Sequence, residues 1–355
     1  MRALRRGQVR GVLGLVLLAS AATGTMTSLI PVPKASAQTV EAGLQKVNAY
    51  IEAARMTERA VESWDRYRSW VNMKTGPTGK ERYISYGMYD LPNYGAALLK
   101  EARAAADAKP SVASLDAAMT RYADAYEALA PVMNQASIYY ERRGYEADKA
   151  AQGRTLHKRM VPLATAFLAE RDTMMPELRV FVRDVKEQEL AAIEAREGRS
   201  ARWQVYQVMQ AADRVTDLFP RDRPEAIDSE TLDAKIRALG PQSPGAAFDE
   251  IIAGVAPPRN AVIDVKRFGA ALEKYAEAVD LFESHTGEKP KQFAAFSRFP
   301  RQLLTMLRAF HAPLIKSNGR EFEDGGPMVA QIANVHIAMF NAGNGLAGSQ
   351  VRYLP

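Results

Sequence analysis

The sequence predicts an all-α protein, a bundle of long antiparallel helices with kinks, arranged as two helical halves. Alanine-rich segments place apolar residues three and four apart, the period that puts them on one helical face. Runs of alternating Val, Ile and Thr, which would signal strands, are almost absent. Gly and Pro fall between the periodic segments, where they punctuate helices.

The first 37 residues are set apart from the bundle. Arg2, Arg5, Arg6 and Arg10 precede an apolar run from Gly11 to Ala22, and a small-residue tail leads to Ala35-Ser36-Ala37. This is the pattern of a secretory signal peptide cleaved after Ala37, so the expected location is periplasmic or secreted. The apolar run is about a dozen residues, short of the roughly 20 that cross a bilayer. No stable membrane span is expected after cleavage.

Removing this segment changes the charge. The chain carries 47 Lys and Arg against 41 Asp and Glu. Five of the bases and none of the acids lie in residues 1–37, so 42 bases face 41 acids in the remainder. A near-neutral chain is not expected to bind nucleic acid. The same balance, without a Lys-rich amphipathic helix, argues against association with a membrane surface. The chain has no cysteine, which excludes disulfides, thiolate catalysis and Cys-ligated zinc.

From Thr39 to Lys74 the stripe Leu44, Val47, Ile51, Ala54, Met56, Val61, Trp64 and Val71 predicts a helix about 50 Å long. A loop rich in Gly and Tyr follows, from Thr75 to Leu91, and Pro92 opens a helix reaching Lys109. Ser111 or Ser114 is expected to cap the next helix, which runs to Arg143. Gly144 and Gly153 interrupt a pattern that continues to Asp172, with kinks expected at Pro131 and Pro162. Pro176 is expected to start a further helix ending near Gly198, and Ser200 to cap one that stops at Phe219-Pro220. Residues 221–260 are rich in proline and glycine and read as an irregular connection between an N-terminal region, 38–220, and a C-terminal region, 261–355, that packs on it. Helices resume over 261–284, 290–316 and 327–341.

The most distinctive run begins at Tyr139-Tyr140 and passes through Gly144, Tyr145, Asp148 and Gly153 to Leu156-His157. On a straight helix Asp148 and His157, nine apart, lie on opposite sides and share a ligand only if the helix breaks between them. Two readings stand: a ligand site, or glycines that let helices approach and tyrosines that fill the core. The run resembles the YiiG-like family of bacterial envelope proteins of unknown function, whose members carry a similar tyrosine pair, Tyr-x-x-Asp, Gly and Leu-His. Asn48-Ala49-Tyr50-Ile51 and Tyr67 resemble the family's opening, and Phe340-Asn341 its close. The chain departs from many relatives at Gly144 and Ala147, where they have acids, and lacks their lipid-bearing cysteine. The resemblance implies an all-helical, export-targeted protein.

No further motif supplies chemistry. His157, His285, His311 and His336 show no H-E-x-x-H spacing, and His285 with Glu288 supplies two ligands where a metal needs three or four. Gly-x-Ser-x-Gly and phosphate-cradling glycine loops are absent, and Gly325-Gly326-Pro327 reads as a turn opening a helix. The loop tyrosines Tyr83, Tyr86, Tyr89 and Tyr94 either present a recognition surface or seal the end of the bundle. The sequence therefore points to a non-enzymatic binding or structural module without a cofactor, engaging an envelope protein or ligand through Tyr83, Tyr86, Tyr89, Tyr139, Tyr140, Tyr145, Asp148 and His157. The alternative is a metal-handling protein or metal-dependent hydrolase built on His157 and nearby carboxylates.

Overall fold

The structure is a computed structural model that describes residues 34–92, 95–219, 262–285, 293–320, 326–347, 351–352 and 354. The expected connection over 221–260, and the signal segment up to residue 33, lie outside them. All described residues belong to one compact unit, Val32–Pro355. Their regular elements are all helices, with no strand among the described residues: α1 (Lys34–Trp70), a 3-10 turn at Ile84–Tyr86, α2 (Gly95–Asp107), α3 (Ala113–Glu141), α4 (Gly144–Asp148), α5 (Ala151–Glu197), α6 (Ala201–Thr216), α7 (Val265–Glu283), α8 (Phe293–Lys316) and α9 (Gly326–Ala347). Among the described residues no helix is long and apolar enough to cross a membrane.

The apolar faces build two cores. In the first, α1, α3 and α5 enclose Val47, Tyr50, Ile51, Tyr67, Leu129, Met133, Met160 and Phe167. A second core joins α6 to α7, α8 and α9 around Val208, Phe268, Tyr275, Phe296, Leu304 and Met339. The first ends on α5 at Val185 and the second begins on the same helix at Ile193. The 47 residues of α5, about 70 Å at 1.5 Å per residue, therefore serve both. Val351 returns to the first core, where Arg352 N–H donates to Asn48 Oδ1 at 3.0 Å.

Two helix ends differ from expectation. Neither Ser111 nor Ser114 caps α3; the Asp116 carboxylate accepts the Val112 N–H at 2.9 Å instead. Its other oxygen accepts from buried Lys46 Nζ at 2.8 Å and from Tyr50 OH at 2.6 Å, so one carboxylate joins α1 to the start of α3. Pro176 starts no helix and lies inside α5, as does Pro162. Both prolines are exposed, as are Asp172 and Lys158 four residues earlier. The carbonyls that lose a helical donor there face water, which replaces it. The capping by Ser200 is observed, its hydroxyl accepting the Trp203 N–H at 3.3 Å, and Gly198 ends α5 at φ 64°.

Candidate functional site

The distinctive run from Tyr139 to His157 forms the joint between α3 and α5. Three non-glycine residues, Arg143, Lys149 and Ala150, take left-handed backbone with φ of 52°, 54° and 60°. They fold the chain back through the single turn α4. The breaks fall beside Gly144 and Gly153 rather than at them. A Cβ on Gly144 would lie 2.5 Å from the Tyr139 ring, and one on Gly153 3.0 Å from the same ring, so these glycines provide space for an aromatic side chain.

Tyr139 and Asp148 are paired within the joint. Tyr139 OH donates to Asp148 Oδ1 at 2.8 Å, and the Gln152 N–H donates to Asp148 Oδ2 at 2.8 Å. Asp148 therefore caps the first turn of α5. The Gln152 amide holds its carboxyl below the ordinary aspartate range, while burial, followed by the bond to Asp148, pushes the Tyr139 phenol up to about 12. Tyr140 is buried against Trp70 at 5.1 Å and Tyr67 at 6.0 Å, and Tyr145 lies 6.4 Å from Tyr140. Burial raises the Tyr140 phenol above its ordinary value.

His157 joins three segments. Its Nε2 lies 3.2 Å from the Met73 carbonyl and its Nδ1 2.9 Å from Tyr67 OH. A carbonyl can only accept, so Nε2 carries the proton and Nδ1 accepts from the Tyr67 hydroxyl. Burial lowers the His157 pKa below the ordinary value, which keeps the ring neutral at pH 7. Asp148 and His157 are not brought together, because each is engaged with its own partners. No three His, Asp or Glu residues are grouped as a metal would require among the described residues. The metal-handling alternative on His157 therefore loses its donor set. Of the other histidines, His311 packs on Phe268 at 5.5 Å, and the Glu288 paired with His285 in the sequence reading lies outside the described residues.

The tyrosine loop lies over this joint. Gly76 (φ 74°) and Gly87 (φ 57°) approach so closely that a Cβ would meet His157 and Tyr140 at 3.0 Å each. Trp70 Nε1 donates to Gly87 O at 2.9 Å, Arg66 Nε to Tyr86 O at 2.7 Å, and the Leu91 N–H to Asn134 Oδ1 at 2.8 Å. Tyr86 is buried and stacks on the partly exposed Tyr83 at 5.0 Å. Tyr89, also partly exposed, lies under the guanidinium groups of Arg59 at 3.6 Å and Arg66 at 4.3 Å. Tyr94 lies outside the described residues.

Loop and joint share one surface, and it is basic. Residues 72–92 and 138–160 carry nine Lys and Arg against five Asp and Glu. Lys74, Lys80 and Arg82 from the loop and Arg142, Arg143, Lys149, Arg154 and Lys158 from the joint are all exposed. Continuity is set by contact: a Cβ on Gly79 would lie 3.3 Å from Ala150 Cβ, and Arg154 donates to Lys149 O at 3.0 Å. Ile138, 46% exposed, belongs to the last turn of α3 beside these cations.

A partly buried polar cluster between helices has no motif in the sequence. Asp213 on α6 accepts from Lys186 Nζ of α5 at 2.6 Å and lies 2.8 Å from His336 Nε2 of α9. Against partial desolvation, the Lys186 charge and the His336 hydrogen bond hold the Asp213 carboxyl well below the usual carboxylate range. Its trace in the sequence is an acid inside the apolar run Val208-Met209-Gln210-Ala211-Ala212-Asp213-Arg214-Val215.

Comparison with known proteins places these features in a family. Residues 41–240 match the family described as protein of unknown function (DUF3829). Among curated proteins, the uncharacterized protein YiiG of Escherichia coli (strain K12) is 28% identical over 198 residues, 55% of this chain and 55% of that protein. The chain thus spans just over half the length of that relative. No solved structure matches the chain. The joint, the tyrosine loop, Lys186 and Asp213 fall inside the matched residues, while His336 and Phe340-Asn341 fall outside them. With more than half of its length matched, and with an all-helical fold carrying the tyrosine-pair joint, the chain belongs to the DUF3829 family of YiiG-like proteins of unknown function.

Proposed function

We propose that the protein is an exported, non-enzymatic helical binding module that attaches to an anionic phospholipid surface through the basic end of its first core. The observation that carries this reading is the segregation of charge. The near-neutral total beyond residue 37, which argued against a membrane surface, hides a local excess of nine cations over five anions in two adjoining segments that the fold brings together. Near an anionic membrane each Lys or Arg contributes about 1 kcal/mol, within a screening distance of roughly 10 Å. Partly exposed Tyr83 and Tyr89 and exposed Ile138 add the aromatic and apolar groups suited to a headgroup region. Export rests on the basic start, apolar run and Ala35-Ser36-Ala37 end of the first segment. A non-enzymatic role rests on the use of Asp148, His157 and Tyr139 in holding the joint.

Flotation with vesicles tests the attachment. Protein beginning at Gln38 should float with phosphatidylglycerol vesicles at low salt, stay behind with phosphatidylcholine vesicles, and lose binding in 0.5 M salt. The triple substitution Lys80→Glu, Lys149→Glu, Lys158→Glu should abolish flotation, and the matching Lys→Arg triple should retain it. Equal binding to neutral vesicles, or an unaffected charge-reversal triple, overturns the reading. Fractionation of the full chain should yield a species starting at Gln38 outside the cytoplasm; an unprocessed cytoplasmic product refutes export.

A further inference from the structure

A groove of about 410 Å³ lies at the other end of the first core, between α1 at Gly43, the chain entering α3 at Val112, and α5. It is separate from the basic end, because the 29 residues of α3, roughly 40 Å, stand between Val112 and the joint. Its volume falls within the range of small-molecule sites, about 300–1,000 Å³. At its floor α1 and α5 touch, where a Cβ on Gly43 would lie 3.3 Å from Val185.

The side of the groove formed by α5 carries a pattern. Glu177, Val180, Phe181 and Asp184 follow one another at offsets of three, four and seven, so they share one helical face, and all four line the groove. The two acids are about 10 Å apart along the helix axis, with apolar surface between them. Val180 in that span is 48% exposed. Glu177 and Asp184 are the only charged residues lining the groove, and no cation accompanies them. Their side chains make no ion pair or hydrogen bond with a described residue. Nor does α5 supply a counter-charge: the positions three and four away hold Thr173, Met174, Val180, Phe181, Glu187 and Gln188, none of them basic.

The complement of this surface is a molecule with two positive ends joined by an apolar chain. Each ammonium group brings three donors to a carboxylate, and such charge-assisted bonds are the stronger kind. Methylene groups between them cover Val180 and Phe181, as the stems of long cationic side chains cover apolar surface elsewhere. A small inorganic cation would leave that span bare, and a neutral ligand would leave both carboxylates unused. We propose that the groove binds a linear aliphatic polyamine, with an ammonium group at each of Glu177 and Asp184 and the chain lying on Val180 and Phe181.

Titration calorimetry of the purified chain with spermidine, at about 0.15 M salt, tests the site. Spermidine should bind saturably and one-to-one, and butylamine, which has a single ammonium, at least tenfold more weakly. Glu177→Gln and Asp184→Asn should each weaken spermidine at least tenfold, the loss expected of one charge-assisted hydrogen bond. Their melting curves should match that of the unsubstituted chain, since neither carboxylate holds another part of the fold. Val180→Lys sets a tethered ammonium three residues from one acid and four from the other, and should abolish binding without lowering the melting midpoint. Glu101→Gln, an exposed acid on α2 outside the groove, should leave affinity unchanged. Absence of saturable binding at 10 mM spermidine, or equal affinity for butylamine, overturns the proposal. So does equal weakening by Glu101→Gln, which would report diffuse attraction to acidic surface. A Lys-Leu amphipathic peptide that binds where spermidine does not would assign the face to a protein partner and overturn it as well.

Discussion

The Tyr67–His157 hydrogen bond should carry a coupling energy of about 3 kcal/mol. Tyr67 is fully buried and its hydroxyl is 2.9 Å from His157 Nδ1, while Nε2 is held by Met73 O. Tyr67→Phe keeps the ring and its edge contact to Trp70 at 5.1 Å but leaves Nδ1 without its donor. A buried acceptor left unpaired costs about 1–3 kcal/mol, so about 2 kcal/mol is expected. His157→Leu orphans both the Tyr67 hydroxyl and the Met73 carbonyl and should cost about 3 kcal/mol. The double variant orphans only the carbonyl and should cost about 2 kcal/mol, about 3 kcal/mol short of the sum. Urea unfolding followed by tryptophan fluorescence reads this locally, because Trp64 and Trp70 belong to the first core. Replacing Trp203, which belongs to the second, with Phe removes the competing signal. Additivity within about 0.5 kcal/mol would refute the inferred hydrogen bond and the tautomer derived from it.

Three further outcomes follow from the same geometry. Because burial depresses the His157 pKa, the unfolded chain binds the proton more readily. Its contribution is present above the unfolded value near 6.5 and lost as pH falls. Midpoints measured from pH 7 to 5 should decline, and His157→Gln should flatten that slope; parallel slopes would exclude His157 as the source. Gly144→Ala gains helix propensity of about 1 kcal/mol but drives a Cβ to 2.5 Å from the Tyr139 ring, so overpacking of about 1–3 kcal/mol should win and thermal melting should show a net loss. Gln188→Pro, on exposed α5 between the two cores, should cost about 3 kcal/mol and split one calorimetric transition into two, whereas a single transition would mean that the cores are coupled through other contacts.

The helices were legible because their apolar residues recur at the period that buries one face. Helix ends were less so. Glycine serves either as a residue that tolerates left-handed backbone or as the smallest side chain, and composition does not separate the two uses. Gly144 and Gly153 mark the interruption and serve close approach, while the left-handed residues are Arg143, Lys149 and Ala150, which no composition signal singles out. Pro176 was misread because a proline's effect depends on whether the carbonyl it orphans faces water. Burial likewise decides the loop tyrosines: Tyr86 is inside and Tyr83 and Tyr89 are at the rim, a distinction made by where Arg59, Arg66 and Trp70 of α1 happen to lie. Asp213 was visible as an acid in an apolar run. Its partners, 27 and 123 residues away, were set by the packing of three helices.

The return of Val351 and Arg352 to α1 bears on how the chain acquires its structure. Asn48 and Arg352 are 304 residues apart, and closing so large a loop carries a high entropic cost, met only once the intervening helices have compacted it. During synthesis the first core's helices emerge well before the strap that completes them. Val351, 1% exposed, is then missing from its place among them. The N-terminal helices thus remain provisional until the C-terminal ones are made.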